Sequence, residues 1–491
     1  MPALPIYTTP AMRKLEQLAA PASGTLMERA GAAAAEYARS LCGDTAKSVL
    51  VLAGPGNNGG DAFEVATHLK RWFFRVNVVF SGERGKLPKD ALMALEKWET
   101  AGGALLHGIP GESRFDLAVD GLFGIGLKRP LSGNYCALVE KLNTLGTPVL
   151  ALDVPSGIDA DTGAIMGCAV RASHTITFIA HKPGLLTLDG PDHCGELKLD
   201  TLELDPAQLL EPDGMLLDAD ILDRAIMPRP RNFHKGQAGS VGVLGGAAGM
   251  VGAAMIAGRA ALKCGAGRVY LGLLTPRPPY IDDAQPELML RKPAAILGKE
   301  LVNVLVAGPG MGEADSARKL LAAALAVPLP IILDADALNA IAESRRLAAS
   351  LTKRKAATIM TPHPAEAGRL LGVSTAGAQA DRVASAKAIA QRYRSSVVLK
   401  GNGSVIAAPD GKFWINSSGN PGMASAGMGD ALAGMIAALI AQRAEPLQAL
   451  LAGVYLHGAA ADALVVSGLG PAGITASEVI DRARVLLNRR S

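Results

Sequence analysis

The strongest constraint on this chain is a repeated pattern: short apolar runs end in a glycine- or aspartate-bearing loop, and a stretch of helical periodicity follows each. In the first half the runs are Ser48-Val-Leu-Val-Leu-Ala53, Val76-Asn-Val-Val-Phe80, Leu117-Ala-Val-Asp120, Val149-Leu-Ala-Leu-Asp153 and Thr175-Ile-Thr-Phe-Ile179. Segments 62–72 and 90–100 read as intervening helices, and the Ala-rich stretch from Met12 to Leu41 as one or two helices ahead of the first strand. Apolar runs without polar alternation are buried on both faces, so the expected fold is α/β, a doubly wound, mostly parallel sheet covered by helices on both sides. Runs resume at 239–244, 269–273, 302–307, 331–334 and 397–400, separated by Ala-rich helical stretches, which predicts a second α/β layer domain. Between Asp205 and Gln237 the pattern decays into Pro206, Pro212, Pro228 and Pro230 with Arg229, Arg231 and Lys235. Turn-prone composition of that kind places a boundary near Asp213, with domains over 1–212 and 220–488 and a linker and lead-in over 213–235. Gly-Pro-Gly occurs after a strand at 54–56 and at 308–310, but Asn57-Asn-Gly-Gly-Asp61 and Met311-Gly-Glu-Ala-Asp315 do not correspond, so the halves are not a duplication.

Length and charge remove several function classes. The 491 residues allow two or three domains. Lys+Arg 49 against Asp+Glu 45 leaves only +4, which argues against disorder and against a nucleic-acid partner. Cys42, Cys136, Cys168, Cys194 and Cys264 are far apart with no C-x-x-C spacing, which points to a reducing compartment and no zinc cluster. The first residues lack a basic start followed by a long apolar run, so no cleaved secretion signal is expected. The longest uninterrupted apolar stretches, such as 431–441, reach about 11 residues against the about 20 that a bilayer requires, so no membrane association and a cytoplasmic location are expected. Ala-rich helical faces suit a homo-oligomer. The 56 glycines are abundant enough to suggest loops that wrap ligands closely.

Gly54-Pro-Gly-Asn-Asn-Gly-Gly-Asp61 follows a strand and opens a helix, where free N–H groups and the helix dipole favour a phosphate. It satisfies G-x-G-x-x-G only formally: Pro55 and the paired asparagines depart from the dehydrogenase fingerprint, and Glu83 is the one acidic candidate for the ribose. Asp120-Gly-Leu-Phe-Gly-Ile-Gly-Leu-Lys-Arg-Pro130 and Asp153-Val-Pro-Ser-Gly-Ile-Asp159 also begin at strand ends, and in an open parallel sheet such ends converge on the ligand crevice. The oxygen set of Asn58, Asp120 and Ser156 suits a hard cation better than zinc. Read blandly, the first loop is a connector and each aspartate caps its next turn.

In the second half, Asn420-Pro-Gly-Met-Ala-Ser-Ala-Gly-Met-Gly-Asp-Ala-Leu-Ala-Gly434 leads small residues into an apolar helix with Asp430 in its first turn. Such an N-terminus can hold a transferring phosphate while Asp430 accepts a proton from the attacking hydroxyl; alternatively Asp430 is only a cap. Lys400-Gly-Asn-Gly-Ser404 either supplies amides to a nucleotide or is a simple hairpin turn. Gly308-Pro-Gly-Met-Gly312, Asp334-Ala-Asp-Ala-Leu-Asn339 and Thr361-Pro-His-Pro-Ala-Glu-Ala-Gly368 again sit at strand ends, making His363 and Glu366 candidates, with a structural histidine as the alternative.

The three loops of the first half, with Ala11-Met-Arg-Lys-Leu-Glu16, closely resemble the NAD(P)H-hydrate epimerase domain over about residues 1 to 212. That resemblance implies that Asn57, Asn58, Gly59, Gly60, Asp61, Gly124, Ile125, Gly126, Leu127, Lys128, Arg129, Pro130 and Asp153 hold the damaged nucleotide. It further implies that Asn58, Asp120 and Ser156 bind potassium, that Asp153 is the acid/base, and that Lys128 assists it as in some relatives. Ala62 replaces a glycine common in that family's loop. The second half resembles the ribokinase-like superfamily, and within it the NAD(P)H-hydrate dehydratases, through His234-Lys-Gly236, Gly245-Gly-Ala-Ala-Gly-Met-Val-Gly-Ala-Ala254, the Gly308 loop and Thr361–Glu366. There it implies that Ala253, Gly312, His363 and Asp430 contact the hydrate and that Lys400, Gly401, Asn402, Gly403, Ser404 and Gly429 hold ADP or ATP, with Mg2+ on the phosphates. Joined in this order, the halves are similar to bifunctional repair enzymes acting on NADHX and NADPHX. A small-molecule kinase of the hydroxymethylpyrimidine or thiazole type, or a nucleotide-sensing first domain, remains open at this point.

Overall fold

The computed structural model describes residues 4–19, 25–42, 47–111, 114–226, 228–298 and 300–489. The chain divides into two compact units, one comprising Leu4–Met215 and the other running from Leu216 onward.

In the first unit the strands are β1 (Ser48–Ala53), β2 (Arg75–Phe80), β3 (Leu105–Leu106), β4 (Leu117–Gly121), β5 (Val149–Leu152), β6 (His174–Phe178) and β7 (Glu196–Asp200). They pair in the order β3-β2-β1-β4-β5-β6-β7, parallel throughout. Val49, Leu50, Val51 and Leu52 of β1 are all fully buried, because helices cover both faces of the sheet. The helices used below are α1 (Thr9–Ala19), α2 (Leu26–Cys42), α3 (Asn57–Arg71), α4 (Lys89–Thr100) and α5 (Asn134–Thr144). Residues 20–24, inside the Ala-rich stretch read as helical, lie outside the described residues. Strand order reverses between β1 and β4, so the loops leaving their carboxyl ends diverge and open a crevice there. The edge strands β3 and β7 escaped the periodicity: β3 has two residues, and β7 is only partly buried along its length. Cys136 of α5 forms a disulfide with Cys168, with Cα atoms 5.9 Å apart. The 32-residue separation hid this pairing, and it departs from the expectation drawn from cysteine spacing.

The second unit contains β8 (Ser240–Gly245), β9 (Arg268–Leu273), β10 (Met289–Leu290), β11 (Val304–Ala307), β12 (Ile331–Leu333), β13 (Thr358–Met360), β14 (Ser396–Leu399), β15 (Ser404–Ala407) and β16 (Phe413–Asn416). Among these nine the order is β16-β15-β14-β13-β12-β11-β8-β9-β10. The strands from β10 to β14 are parallel, whereas β14, β15 and β16 form an antiparallel meander. Order reverses between β8 and β11, which makes a second strand-end crevice. Its helices include α6 (Val251–Lys263), α7 (Pro364–Leu371), α8 (Arg382–Tyr393), α9 (Met428–Ala441) and α10 (Pro446–Val466). α6 packs closely on α9 because the contact is built from glycine and alanine: a Cβ on Gly434 would fall 2.1 Å from the Ala257 carbonyl oxygen. α10 is long and apolar enough to cross a membrane by length and composition. Gln448, His457 and Asp462 interrupt its apolar run, and 67% of its most apolar window is buried inside this unit.

Candidate functional sites

Sequence placed the first glycine loop before a helix beginning near Ala62; the helix in fact begins at Asn57, with Gly56 as N-cap. Residues 57–60 are therefore the first turn of α3: the Gly60 N–H bonds the Gly56 carbonyl oxygen (3.2 Å), and the N–H groups of residues 57–59 are the ones a helix N-terminus offers to a ligand. The turn is threaded against its neighbours at van der Waals limits. A Cβ on Gly54 would lie 1.8 Å from the Leu122 carbonyl oxygen, so only glycine lets the β1 and β4 loops touch. Gly124 faces two predicted site residues at once: a Cβ there would lie 3.1 Å from Asn58 Oδ1 and 3.4 Å from Asp153 Oδ2. The structure thus brings Asn58, Gly124 and Asp153 together.

Asp153 ends β5 with φ +64°, a left-handed backbone that a non-glycine residue adopts at an energetic cost. Its Oδ1 accepts from Lys182 Nζ (2.5 Å), Thr177 Oγ1 (3.3 Å) and the Phe178 N–H (3.4 Å). Lys182 was not among the sequence candidates; the available signal was a Lys-Pro-Gly following the end of the strand beside β5. Lys128, Arg129 and Pro130 lie exposed on the 124–130 loop, and among the described residues the lysine bonded to Asp153 is Lys182. Asp61 and Glu16 are both pushed above the usual carboxylate range, first by burial and next by the negative charge of Asp153.

Asp120 is fully buried at the end of β4. Its carboxylate accepts from Ser156 Oγ (2.6 Å), the Ser156 N–H (2.8 Å) and the Leu122 N–H (3.2 Å), yet burial still raises its pKa to about 6. Nearby, Gly121 packs on the Asn58 carbonyl, and the buried Asn58 Nδ2 has no partner among the described residues. A buried carboxylate bonded to one hydroxyl and two backbone N–H groups, with no cationic side chain on it among the described residues, fits a monovalent cation held by oxygen ligands.

In the second unit, the loop after β11 meets the loop after β8. The Gly246 and Ala247 N–H groups donate to Pro309 O (2.9 Å) and Gly310 O (2.7 Å), and a Cβ on Gly310 would lie 3.1 Å from Ala253 Cβ. Gly312, at φ +75°, donates its N–H to Asp336 Oδ2 at 2.8 Å. The loop after β11 thus touches Ala253 of α6 through Gly310 and Ala247 of the loop after β8 through Gly312. Asp334, buried at the end of β12, accepts from Lys400 Nζ (2.9 Å) and Thr361 Oγ1 (2.7 Å). Gly429 sits over this pair: a Cβ there would lie 3.0 Å from Lys400 Nζ and 3.3 Å from Asp334 Oδ2. Asp430 follows it in the first turn of α9, whose N-cap is Gly427 at φ +88°. Burial, then the charge of Asp334, raises the Asp430 pKa to about 7, while Lys400 lowers it.

His363 caps α7. Its Nδ1 accepts from the Ala365 N–H (3.1 Å), and Glu366 Oε2 accepts from the His363 N–H (2.8 Å), a reciprocal capping box. Burial, then Lys400, holds the imidazole below its ordinary pKa. Residues Lys400–Ser404 form the turn of the antiparallel β14–β15 hairpin. Beneath that turn lies Arg382 of α8, 1% exposed, donating to Leu399 O (3.1 Å) and Gly403 O (3.5 Å). Arg382 carried no sequence signal, since an arginine at a helix start normally points to solvent.

Two family models match the chain: one described as YjeF-related protein N-terminus over residues 23–184, and one described as NAD(P)H-hydrate dehydratase over 241–481. The bifunctional NAD(P)H-hydrate repair enzyme Nnr of Escherichia coli is 38% identical over 468 residues, covering 94% of this chain and 89% of that protein. The chain belongs to the bifunctional NAD(P)H-hydrate repair enzyme family. Its Coxiella burnetii relative of the same name is 38% identical over 98% of this chain and 99% of its own length. The ADP/ATP-dependent NAD(P)H-hydrate dehydratase of Bacillus subtilis, co-crystallised with ATP/Mg2+, is 31% identical, covering 55% of this chain and 95% of that one with a TM-score of 0.48. Repair-family relatives span both units, so the small-molecule kinase alternative is not supported. The segment matched over 23–184 carries both Asp153 and Lys182, and the 241–481 segment carries Asp334, Lys400 and Asp430.

Proposed function

We propose that the chain repairs hydrated nicotinamide nucleotides in two steps, interconverting the R and S epimers of NADHX and NADPHX in the first unit and dehydrating the S form in the second. The observation that carries this reading is that each unit holds an aspartate in the loop cluster around its own strand-order reversal, Asp153 in one and Asp430 in the other. Function at such crevices is the general rule for open α/β sheets, and membership in the repair family supplies the substrate class.

At the first site, the N-terminal turn of α3 receives the phosphates of the nucleotide through its N–H groups, and residues 124–130 flank the nicotinamide end. Asp153 takes the proton of the C6 hydroxyl as the C6–N1 bond opens with its electron pair going to N1, and delivers that same proton to N1. Rotation of the resulting aldehyde and reversal of these transfers closes the ring on the other face. Asn58, Asp120 and Ser156 would hold a potassium ion, whose charge would offset the buried Asp120 carboxylate.

At the second site, the hydrate lies against Ala253, Gly312 and the His363 cap, with the adenine nucleotide beside residues 400–404. Asp430 removes the proton of the C6 hydroxyl as its oxygen attacks the terminal phosphorus of ADP or ATP and displaces AMP or ADP. Phosphate then leaves C6 with the bonding pair, the N1 lone pair assists, and loss of a C5 proton restores the double bond of NADH or NADPH. A poor leaving group, hydroxide, has become a good one. Among the described residues no cluster of three or more metal-ligating side chains forms a cage, so Mg2+ would be held chiefly by the phosphates and water and would neutralise phosphate charge.

The test is to supply both epimers with ADP and Mg2+ to Asp153→Asn and Asp430→Asn variants. Asp153→Asn is expected to consume S and leave R, and Asp430→Asn to consume neither. Consumption of R by Asp153→Asn at the rate of the unsubstituted chain would refute the role of Asp153.

A further inference from the structure

Lys182 lies on the loop after β6 and is 1% exposed. Its ammonium donates to Asp153 Oδ1 (2.5 Å), Thr177 Oγ1 (2.9 Å) and Phe178 O (2.8 Å). Those three bonds account for all three of its protons, so no N–H is left for a ligand. An ammonium buried to this extent costs several kcal/mol unless it is paired, and its partner is the carboxylate at the end of β5. That carboxylate is two-sided: Oδ1 faces the lysine, and Oδ2 faces Gly124 of the 124–130 loop. The left-handed backbone of Asp153 turns its side chain into this position. A fixed anion with one oxygen anchored and one oxygen free is what a reversible proton carrier requires.

We infer, resting on the epimerase reading above, that Lys182 is the positioning residue of the first site, anchoring Asp153 Oδ1 so that Oδ2 alone meets the hydrate. The groups around the pair sharpen this assignment. Glu16 of α1 and Asp61 of α3 lie within the field of Asp153, whose charge adds to burial in pushing both carboxyls up, with Glu16 and Glu64 adding to Asp61 and Lys182 and Arg13 offsetting Glu16. His181, beside Lys182, is pushed down to about 4 by burial and then by Lys182, so it is neutral near pH 7. Lys182 is thus the cation in direct contact with Asp153.

The experiment uses the full chain, with a mixture of R and S hydrates of NADH, ADP and Mg2+, following R by chromatography above its uncatalysed interconversion between pH 5 and 9. Lys182→Met is expected to lower kcat for R at least about 100-fold with KM changed by less than about threefold, because the base is misplaced while the nucleotide is still held by the other loops. S repair by the second unit should stay at the unsubstituted rate. Lys182→Arg keeps the charge but its planar fork does not reproduce three contacts of one ammonium, so it is expected to recover only part of the lost kcat. A Lys182→Met chain with unsubstituted kcat, or with a loss that lies in KM rather than kcat, overturns the inference. Should Lys182→Met fail to fold, Lys182→Arg decides: a reduced kcat with KM changed by less than about threefold supports the inference, and full kcat overturns it. Failure of the unsubstituted chain to consume R would refute the epimerase reading itself, whereas equal consumption by both chains refutes only the role of Lys182.

Discussion

Potassium should stabilise the first unit far more at pH 8 than at pH 5, because the cation answers a charge that exists only at the higher pH. Asp120 is completely buried, and its pKa is raised from 3.8 to about 6. A carboxyl group whose folded pKa lies above its unfolded value favours the fold while protonated. That contribution is fully present below about pH 4 and is lost as pH rises through about 6. The difference of about two units corresponds to about 3 kcal/mol of destabilisation above pH 6. A bound cation recovers RT ln(1 + [K+]/Kd), which is about 2.7 kcal/mol at 100 times Kd, so the two quantities are of the same size. For a unit of this length, 1 kcal/mol shifts Tm by roughly 2–4 °C, so the increment at pH 8 should be roughly 5–11 °C. Differential scanning calorimetry in KCl against choline chloride at equal ionic strength measures it. Asp120→Asn identifies the transition that belongs to this unit and should abolish the pH dependence of the increment. Equal potassium increments at pH 5 and pH 8, or an undiminished increment in Asp120→Asn, would refute the reasoning.

Two further outcomes follow from the second site. Asp430→Asn should lower hydrate-dependent phosphate release about 10²–10⁴-fold. In the unsubstituted chain, kcat/KM for the S epimer should fall as pH drops below about 7, since a base raised to that value by burial is protonated there. Arg382→Met should raise the KM for ADP about tenfold or more while leaving R consumption in the first unit intact, because it removes the donor to the Leu399 and Gly403 carbonyls that shape the 400–404 turn. An unchanged nucleotide KM would contradict that buttressing role.

The central strands were legible because a strand buried on both faces reads as an unbroken apolar run. Val149–Leu152 ended within one residue of its expected limit, and the extra residue, Asp153, leaves the strand through its positive φ, which no sequence pattern announces. The strands β15 and β16 were missed because the pattern sought parallel runs separated by helices, whereas these two return at once as antiparallel partners. At the sites, glycine loops and strand-end aspartates stood out because few other roles require them. Lys182 and Arg382 did not, because the sequence reveals a basic residue but not that folding buries it against a carboxylate or a row of carbonyls. His363 shows the converse: flanking prolines made it conspicuous, and part of what they frame is a capping box that starts α7.

The most direct test of the two-step account is to give the unsubstituted chain both hydrate epimers with limiting ADP and to measure phosphate and absorbance at 340 nm together. The account predicts that R and S are both consumed, with one phosphate released per NADH or NADPH recovered and no phosphorylated product accumulating. A stable phosphorylated product without recovery at 340 nm would contradict the dehydration step, and R left untouched after S is exhausted would contradict epimerisation in the first unit.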